Sequence, residues 1–269
     1  DQHEVAGPVL RRSPLILDAE LIDTAARGDA RIEVAVAERR PLSRAVCAAI
    51  GEVCGPSALV ALLGNDTAEI APFTLSRVAE RLGADPTVRE ALLARDDVSP
   101  AVRQRLARHL AGTFDGFLAR TGLFGPERAR AITGEAVERA TVTLADAGAR
   151  EDLVDLVAHL VEVHELTPAL LLRGLCSGGL DLFEEALVQL SGMPRGRVAA
   201  LCAEGPSPAF DALYRRARLP DAALPAFRAA LSVRREAMID EREGAGARFS
   251  RRMLERVLTN LVLNARDAM

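Results

Sequence analysis

The chain has 269 residues, of which 49% are hydrophobic and 27% are charged, the balance of a globular protein with one large domain or two ordinary ones. All 34 basic residues are Arg, yet the net charge is −4, which argues against a protein whose main task is to bind nucleic-acid backbones. No apolar run approaches the roughly 18 residues that a membrane span needs. Because the first residues lack a signal-peptide layout, we expect a cytoplasmic protein with no membrane association.

Helical periodicity runs through almost the whole sequence, and no segment alternates convincingly like a strand. The N-terminal half is also self-similar. Ala37–Val53 aligns with Ala94–Leu110 at a shift of about 56 residues, and Leu63–Leu82 lies halfway between them. The period is therefore about 28 residues with two short helices per unit, which is typical of a HEAT-like or leucine-rich-variant-like α-solenoid. We predict an all-α fold in which residues 18–121 form a helical-repeat domain.

Polar turns separate the predicted repeats and carry residues that start helices well. Four of these residues can accept hydrogen bonds from the first backbone N–H groups of the next helix: Asp29, Asp66, Asp85 and Ser99. Pro86 and Pro100 stand where a first-turn proline costs no hydrogen bond.

Gly122, Gly125 and Pro126 interrupt this pattern, so we place a boundary there and predict a C-terminal helical domain over residues 126–269. Thr141–Ala145 (TVTLA) has a strand-like composition but continues a helical run, and we predict helix for it. Further on, Thr167 and Pro168 begin a helix that Gly178-Gly179 ends.

Part of the C-terminal half resembles a known family. Leu170–Leu175 (LLLRGL), Gly178–Leu190 and Ala212–Ala217 are similar to the alphaproteobacterial family catalogued as domain of unknown function 2336. The predicted N-terminal repeats fit the same family, so the resemblance covers about residues 20–260 and is carried mostly by packing residues. It implies an all-α, HEAT-like bacterial protein without an established catalytic activity, and it supplies no catalytic residues.

The last segment, Arg252–Met269, resembles the asparagine box of the ATP-binding domain of sensor histidine kinases. In this resemblance Asn264 matches the Asn that coordinates Mg²⁺ on the nucleotide phosphates, and Asn260 and Asp267 also match. Their spacing places the three residues on one flank of a predicted helix. They are the candidate cofactor contacts, and the alternative is an amphipathic terminal helix with a polar flank.

The other parts of that ATP site do not occur in the sequence, which has no Asp-x-Gly-x-Gly loop and no second Gly-rich loop after the box. Without such glycines no backbone approaches the phosphates closely. We therefore predict no bound cofactor and no enzyme activity. A degenerate kinase-like or phosphorelay component stays as an alternative.

A phosphorelay role would also need a phosphoryl-accepting His. His159 is predicted to face away from the apolar stripe of its helix, the exposure that phosphotransfer requires, but it lacks the Lys and Gly that usually follow such a residue. His164 is predicted to lie on that stripe as a partly buried packing residue, and His109 is predicted to end a repeat helix. His159 and His164 are five residues apart, which does not suit metal binding.

The remaining polar clusters have structural interpretations. No Cys-x-x-Cys pair occurs, so we predict no metal site and four buried, reduced thiols: Cys47, Cys54, Cys176 and Cys202. Glu184-Glu185 is predicted to begin a helix, where negative charge suits the dipole. The Arg clusters Tyr214–Arg218 and Arg248–Arg252 are predicted to be solvated helix faces, with a phosphate or acidic-partner site as the alternative.

The sequence thus favours a non-enzymatic scaffold that binds a protein partner, with the concave solenoid face as the docking surface and a regulatory or signalling context. Besides the kinase-like alternative, a nucleic-acid-binding solenoid is a second one, with a concave row of candidate side chains: Arg77, Arg81, Arg103 and Arg105. Acidic residues interleave with this row, so nucleic acid is not the expected partner. The sequence does not specify an oligomeric state.

Overall fold

The computed structural model describes residues 2–121 and 124–242, and within them the chain is all-α, with fifteen α-helices, one short 3₁₀ helix and no named strand. The predicted fold class is confirmed. Thr141–Ala145 lies inside a helix, as predicted. In the part of the chain that the structure describes, no helix combines the length and the apolar character needed to cross a bilayer.

The chain divides into two compact units between Thr133 and Gly134, inside the ninth helix. The helices of the first unit are α1 Gln2–Arg12, α2 Asp18–Ala25, α3 Ala30–Ala37, α4 Arg44–Val53, α5 Pro56–Leu63, α6 Pro72–Leu82, α7 Pro86–Leu93 and α8 Pro100–Thr121. After the shared helix α9, Pro126–Ala147, come α10 Arg150–Glu162, α11 Pro168–Cys176, α12 Leu180–Ser191, α13 Arg195–Glu204, α14 Pro208–Arg216, the 3₁₀ helix Asp221–Ala223 and α15 Leu224–Arg242.

The helices of the first unit form two interleaved series. The odd-numbered helices α1, α3, α5 and α7 each pack against the next member of their series, and so do the even-numbered helices α2, α4, α6 and α8. Three of the even helices begin at residues 44, 72 and 100, at a constant spacing of 28 residues. Each short helix therefore buries its apolar side mainly against the helices one period away.

Three of the four predicted helix caps are present. The carboxylates of Asp29 and Asp85 accept backbone hydrogen bonds at the starts of α3 and α7, and the hydroxyl of Ser99 accepts one from the N–H of Val102 in α8. The prediction for Asp66 was wrong. Helix α6 starts six residues later, at Pro72, and Asp66 instead forms an exposed ion pair with Arg40 at 3.0 Å.

Polar side chains in the turns after the odd-numbered helices form hydrogen bonds to the end of the preceding odd-numbered helix. Asn65, after α5, donates to the carbonyl of Ala37 at the end of α3 (3.0 Å), and Arg95, after α7, donates to the carbonyl of Leu63 at the end of α5 (2.9 Å). Arg39, after α3, donates in the same way to the last turn of α1. The last carbonyls of a helix have no hydrogen-bond partner within it. These bonds therefore supply partners to carbonyls that would otherwise be buried without one.

The core of the second unit is built around aromatic rings. Phe183 stacks on Phe227 with ring centroids 5.2 Å apart, and Phe210 and Tyr214 pack around this pair. The buried Tyr214 hydroxyl donates to the carbonyl of Pro220 at 2.9 Å. As predicted, α11 begins at Pro168, capped by the Thr167 hydroxyl.

All four cysteines are buried free thiols, as predicted. Burial raises the pKa of Cys47 to about 11 and that of Cys54 and Cys202 to about 12, and it also raises the pKa of Cys176. These thiols therefore stay protonated near neutral pH and behave as small packing residues.

Candidate protein-interaction surface

Helix α8 has two halves with different surroundings. Its first half belongs to the core of the first unit, where Val102 and Leu106 are buried and the helix packs against α6. Its second half carries Leu110, Phe114 and Phe117, which are 38%, 51% and 53% exposed. The spacing of four and three residues puts these side chains on one face, in line with Leu106.

We call Leu110, Phe114 and Phe117 the α8 apolar stripe. A phenylalanine offers about 150–250 Å² of surface, so covering the exposed half of each ring would contribute about 2–3 kcal/mol before the costs of association. Nearby in the sequence, Phe124 and Ile132 are also exposed, at 38% and 41%. A concentration of exposed aromatic residues of this kind marks interaction sites in soluble proteins.

The stripe is held on a supported helix. The hydroxyl of Thr133 in α9 donates to the carboxylate of Asp115, which lies on the side of α8 away from the stripe. Helix α8 ends at Thr121 and α9 begins at Pro126, and the bond joins one side chain of each helix. Asp115 is therefore engaged with α9, and the stripe is left without an acidic neighbour on its own face.

Exposed arginines occur on α8 and at the start of α9, and one of them, Arg120, flanks the stripe three residues after Phe117. Arg108 and Arg120 are exposed on α8, and Arg128 and Arg130 are exposed at the start of α9. Burial lowers the pKa of His109, and the positive charges of Arg105 and Arg89 lower it further. The stripe thus has exposed aromatic rings with one exposed cation, Arg120, beside them.

The four arginines of the nucleic-acid hypothesis are all engaged within the first unit. Arg77 binds Glu52 and Glu80, Arg81 donates to the carbonyl of Gly51, and Arg103 and Arg105 donate to backbone carbonyls as well. Arg81 and Arg105 reach the preceding even helix, so they tie α6 to α4 and α8 to α6. Their charges thus contribute to the stacking of the helices.

The predictions for three histidines were wrong. His159 is 8% exposed in the last turn of α10, because the buried face of that helix is wide enough to include it beside Leu156 and Leu160. His164 is exposed in the turn after α10, where its backbone adopts a left-handed conformation with φ of 58°. His109 does not end a helix, because α8 continues to Thr121.

The acidic pair Glu184-Glu185 was predicted at a helix start, but it lies in the middle of α12 and is buried. Glu185 forms an ion pair with Arg195 and accepts a hydrogen bond from Gln189 (3.0 Å), while burial raises the pKa of Glu184. Among the described residues, no group of His, Cys, Asp or Glu side chains is arranged to hold a metal ion.

The kinase-like residues Asn260, Asn264 and Asp267 lie outside the described residues, as does the Arg cluster at 248–252. In the other Arg cluster, Arg215 pairs with Asp221 at 3.4 Å and Arg216 donates to the carbonyl of Ser191 at 2.9 Å.

An open cavity of about 720 Å³ lies beside that cluster in the second unit, lined by Leu166, Gln189, Arg216, Arg218, Leu219 and other residues. Its polar groups are largely engaged with the protein. The Gln189 amide donates to the carbonyl of Val154 and to Glu185, and Arg216 bonds Ser191. The cavity therefore offers a small ligand few convergent polar partners, and we take the α8 apolar stripe as the candidate site.

The stripe was missed in the sequence because the last aligned repeat was taken to end at Leu110, and the residues between it and the boundary at Gly122 were assigned to no helix. The signal was present: Leu106, Leu110, Phe114 and Phe117 keep one helical face apolar, although aromatic residues make up only 3% of the chain. The sequence could not show that α8 is longer than its neighbour α6, which leaves part of this face uncovered.

A family model described as "Uncharacterised protein conserved in bacteria (DUF2336)" matches residues 5–261. No curated protein and no solved structure matches the chain.

Proposed function

The chain belongs to the DUF2336 family, and from its own geometry we propose that it is a non-enzymatic protein-binding scaffold whose docking surface includes the α8 apolar stripe. The observation that carries the proposal is the exposure of Leu110, Phe114 and Phe117 on one face of a helix that is fixed in the unit by its other half. A rigid element that presents aromatic anchors is what a specific protein interface needs.

In this proposal the first unit is a HEAT-like α-solenoid. The two interleaved series of helices, the spacing of 28 residues and the bonds from Asn65 and Arg95 to the preceding odd helices support it. A solenoid must protect its last repeat from solvent. Helix α8 ends the even series of this unit with an uncovered apolar face, which suits a docking position.

We further propose that residues 18–121 act as the binding domain and residues 126–269 as a second helical domain, in a protein of the bacterial cytoplasm with a regulatory or signalling role. The resemblance of Asn260, Asn264 and Asp267 to a kinase box is what suggests the signalling context.

The test compares Phe114→Ala/Phe117→Ala with Phe73→Ala, which removes a ring that is 78% exposed on α6. Each tagged chain is used to capture proteins from the native cell, and any captured protein is then purified and titrated directly. We expect a partner that binds the wild type and the Phe73 variant but binds the double variant at least about tenfold more weakly. A set of partners that the double variant retains at full affinity would overturn the proposal.

The two other hypotheses have their own tests on the same preparations. If millimolar Mg-ATP raised the melting temperature of the full chain, it would support nucleotide handling through Asn264. Binding of duplex DNA with a steep dependence on salt would support the nucleic-acid solenoid. We expect neither effect.

A further inference from the structure

The exposed apolar surface at the end of the first unit spans two helices. Asp115 lies six residues before the end of α8 and Thr133 lies seven residues after the start of α9, so the hydrogen bond between them makes the two helices antiparallel. Phe114 immediately precedes Asp115, and Ile132 immediately precedes Thr133. In antiparallel helices, the residues that precede two facing residues turn to the same side of the pair. The exposed Ile132 therefore extends the α8 apolar stripe onto α9.

The combined surface is large enough for a dimer interface. We call its four exposed side chains the α8–α9 apolar face: Leu110, Phe114, Phe117 and Ile132. They present roughly 400 Å² of apolar area, to which the partly exposed Ala107, Ala111 and Leu118 add. A stable interface buries about 800 Å² on each partner, and in homodimers about 65% of it is apolar. The face therefore supplies most of the roughly 500 Å² of apolar area that each subunit of such a dimer buries.

The arrangement of the stripe on α8 is complementary to itself. Leu110 precedes Phe114 by four residues and Phe117 follows it by three, so the stripe is nearly symmetric about Phe114. When two copies of α8 pack antiparallel about a two-fold axis at Phe114, Leu110 of one copy meets Phe117 of the other. Spacings of four and three residues are also those with which one helix packs against another. One surface can therefore form both halves of the interface.

The charges near the α8–α9 apolar face fit the same arrangement. Arg108 lies seven residues before Asp115, which places it on the side of α8 away from the stripe. Arg120 flanks the stripe on α8, and Arg128, four residues before Ile132, lies at the same end of the face. In the antiparallel pair the two Arg120 positions are about 18 Å apart along the helices. The centre of the face is thus free of charge, as the cores of protein interfaces are, and the cations of the two copies lie at opposite ends.

We infer that the α8–α9 apolar face binds the same face of a second copy of this chain, which gives a two-fold symmetric dimer with antiparallel α8 helices. This inference rests on the proposed function, because it names the partner of the proposed docking surface. Two-fold dimers are by far the commonest assemblies of soluble homo-oligomers, and they require a self-complementary surface. The apolar side chains supply the affinity, and the arginines stay in solvent at the rim.

Self-association of the full chain is measured by sedimentation velocity over a concentration series from about 1 to 100 μM, which should show a monomer–dimer equilibrium. Phe114→Ala/Phe117→Ala should weaken dimerisation at least about tenfold, and Ile132→Ala about three- to tenfold. The matched control Phe73→Ala removes a ring that is 78% exposed on α6 and should leave the dissociation constant unchanged. Circular dichroism and melting temperature verify that each variant is folded.

Cross-linking tests the two-fold geometry while all four apolar side chains stay in place. Thr113→Cys puts an exposed thiol one residue from the proposed axis, so a short bismaleimide should join two copies efficiently. Arg120→Cys is the matched control, because the antiparallel arrangement keeps its two thiols too far apart for the same reagent. The four native cysteines are buried and do not compete. Equal cross-linking at the two positions would refute the antiparallel dimer.

The outcomes separate this inference from the proposed function. A chain that stays monomeric throughout the series refutes the dimer. If the double phenylalanine variant then loses a different cellular protein, the docking surface stands with that protein as its partner. Dimerisation that the double variant retains at full strength also refutes the inference, because another surface then joins the copies. Stripe-dependent binding of a monomer to anionic lipid vesicles would assign the face to a membrane instead. If the chain is monomeric and the double variant keeps every cellular partner, both proposals fail.

Discussion

The two units of this protein bury their apolar surface in different ways. The core of the first unit contains only aliphatic residues and cysteines among its buried hydrophobic side chains, and polar bonds tie each helix to the one a period away. The core of the second unit contains Phe183, Phe210, Tyr214 and Phe227 in mutual contact. Small aliphatic side chains are interchangeable from one period to the next, whereas an aromatic cluster is specific to one place.

This contrast predicts where each unit is most sensitive to mutation. In the second unit stability is concentrated in the rings, and in the first it is distributed over many similar contacts. The phenylalanines Phe73, Phe114 and Phe117 of the first unit do not change this contrast, because they are exposed and take no part in its core.

The largest effect is expected from Phe183→Ala. Phe183 is fully buried and contacts both Phe210 and Phe227, so its removal leaves a cavity that its neighbours cannot fill. We expect a loss of about 3–5 kcal/mol in the free energy of unfolding. Urea titration measures the loss, and hydrogen exchange of α12 should locate it in the second unit.

Phe73→Ala is the matched control for that change, with an expected effect within about 0.5 kcal/mol because the ring is 78% exposed. Equal losses for the two variants would show that the aromatic cluster is not the centre of the second unit.

A smaller effect is expected from Asn65→Ala in the first unit. The Asn65 amide donates to the carbonyls of Ala37 (3.0 Å) and Arg39 (2.8 Å), and its carbonyl accepts from Thr67. Removing it leaves buried acceptors unpaired, at a cost of about 1–3 kcal/mol. Hydrogen exchange should increase at the end of α3 and the start of the turn after α5.

The neighbouring Asp66→Ala removes an exposed ion pair with Arg40 and should change stability by less than about 1 kcal/mol. If this change proved as costly as Asn65→Ala, the bonds between periods would not be what holds the odd helices in register.

Comparison of Asp66 with Asn65 also shows how far the sequence could predict the fold. Helical periodicity predicted the all-α fold class, and Asp29, Asp85 and Ser99 were recognised as caps because capping depends on residues two or three positions away. Asn65 was overlooked because its partner carbonyl is 28 residues distant, and nothing local distinguishes it from Asp66.

The candidate site was harder to predict for a related reason. Exposure depends on which neighbours cover a face, so His159 was predicted exposed and is buried, while His164 was predicted to pack and is exposed. The same limit applies to Phe114 and Phe117, whose spacing is that of a core stripe. Only the packing of α8 against α6 decides which part of the stripe is covered.

The smallest predicted effects concern pH, and the two units should respond with opposite sign. In the first unit, hydrogen bonds from the Thr87 side chain and the Val88 N–H lower the pKa of Asp85. In the second unit, burial raises the pKa of Glu184, with a further contribution from Asp181. Asp85 therefore stabilises the fold above its unfolded pKa of about 3.9, and this contribution is lost as the pH falls through its folded pKa.

Glu184 behaves in the opposite way, because the folded state holds its proton more tightly than the unfolded state. Its contribution is present below the unfolded pKa of about 4.3 and is lost as the pH rises through the folded value. We therefore expect the melting temperature of Glu184→Gln, relative to that of the wild type, to increase as the pH rises from 4 to 7. The advantage of the wild type over Asp85→Asn should shrink as the pH falls below about 4. If both variants shifted in the same direction with pH, burial would not be what distinguishes the carboxylates of the second unit from the solvated helix caps of the first.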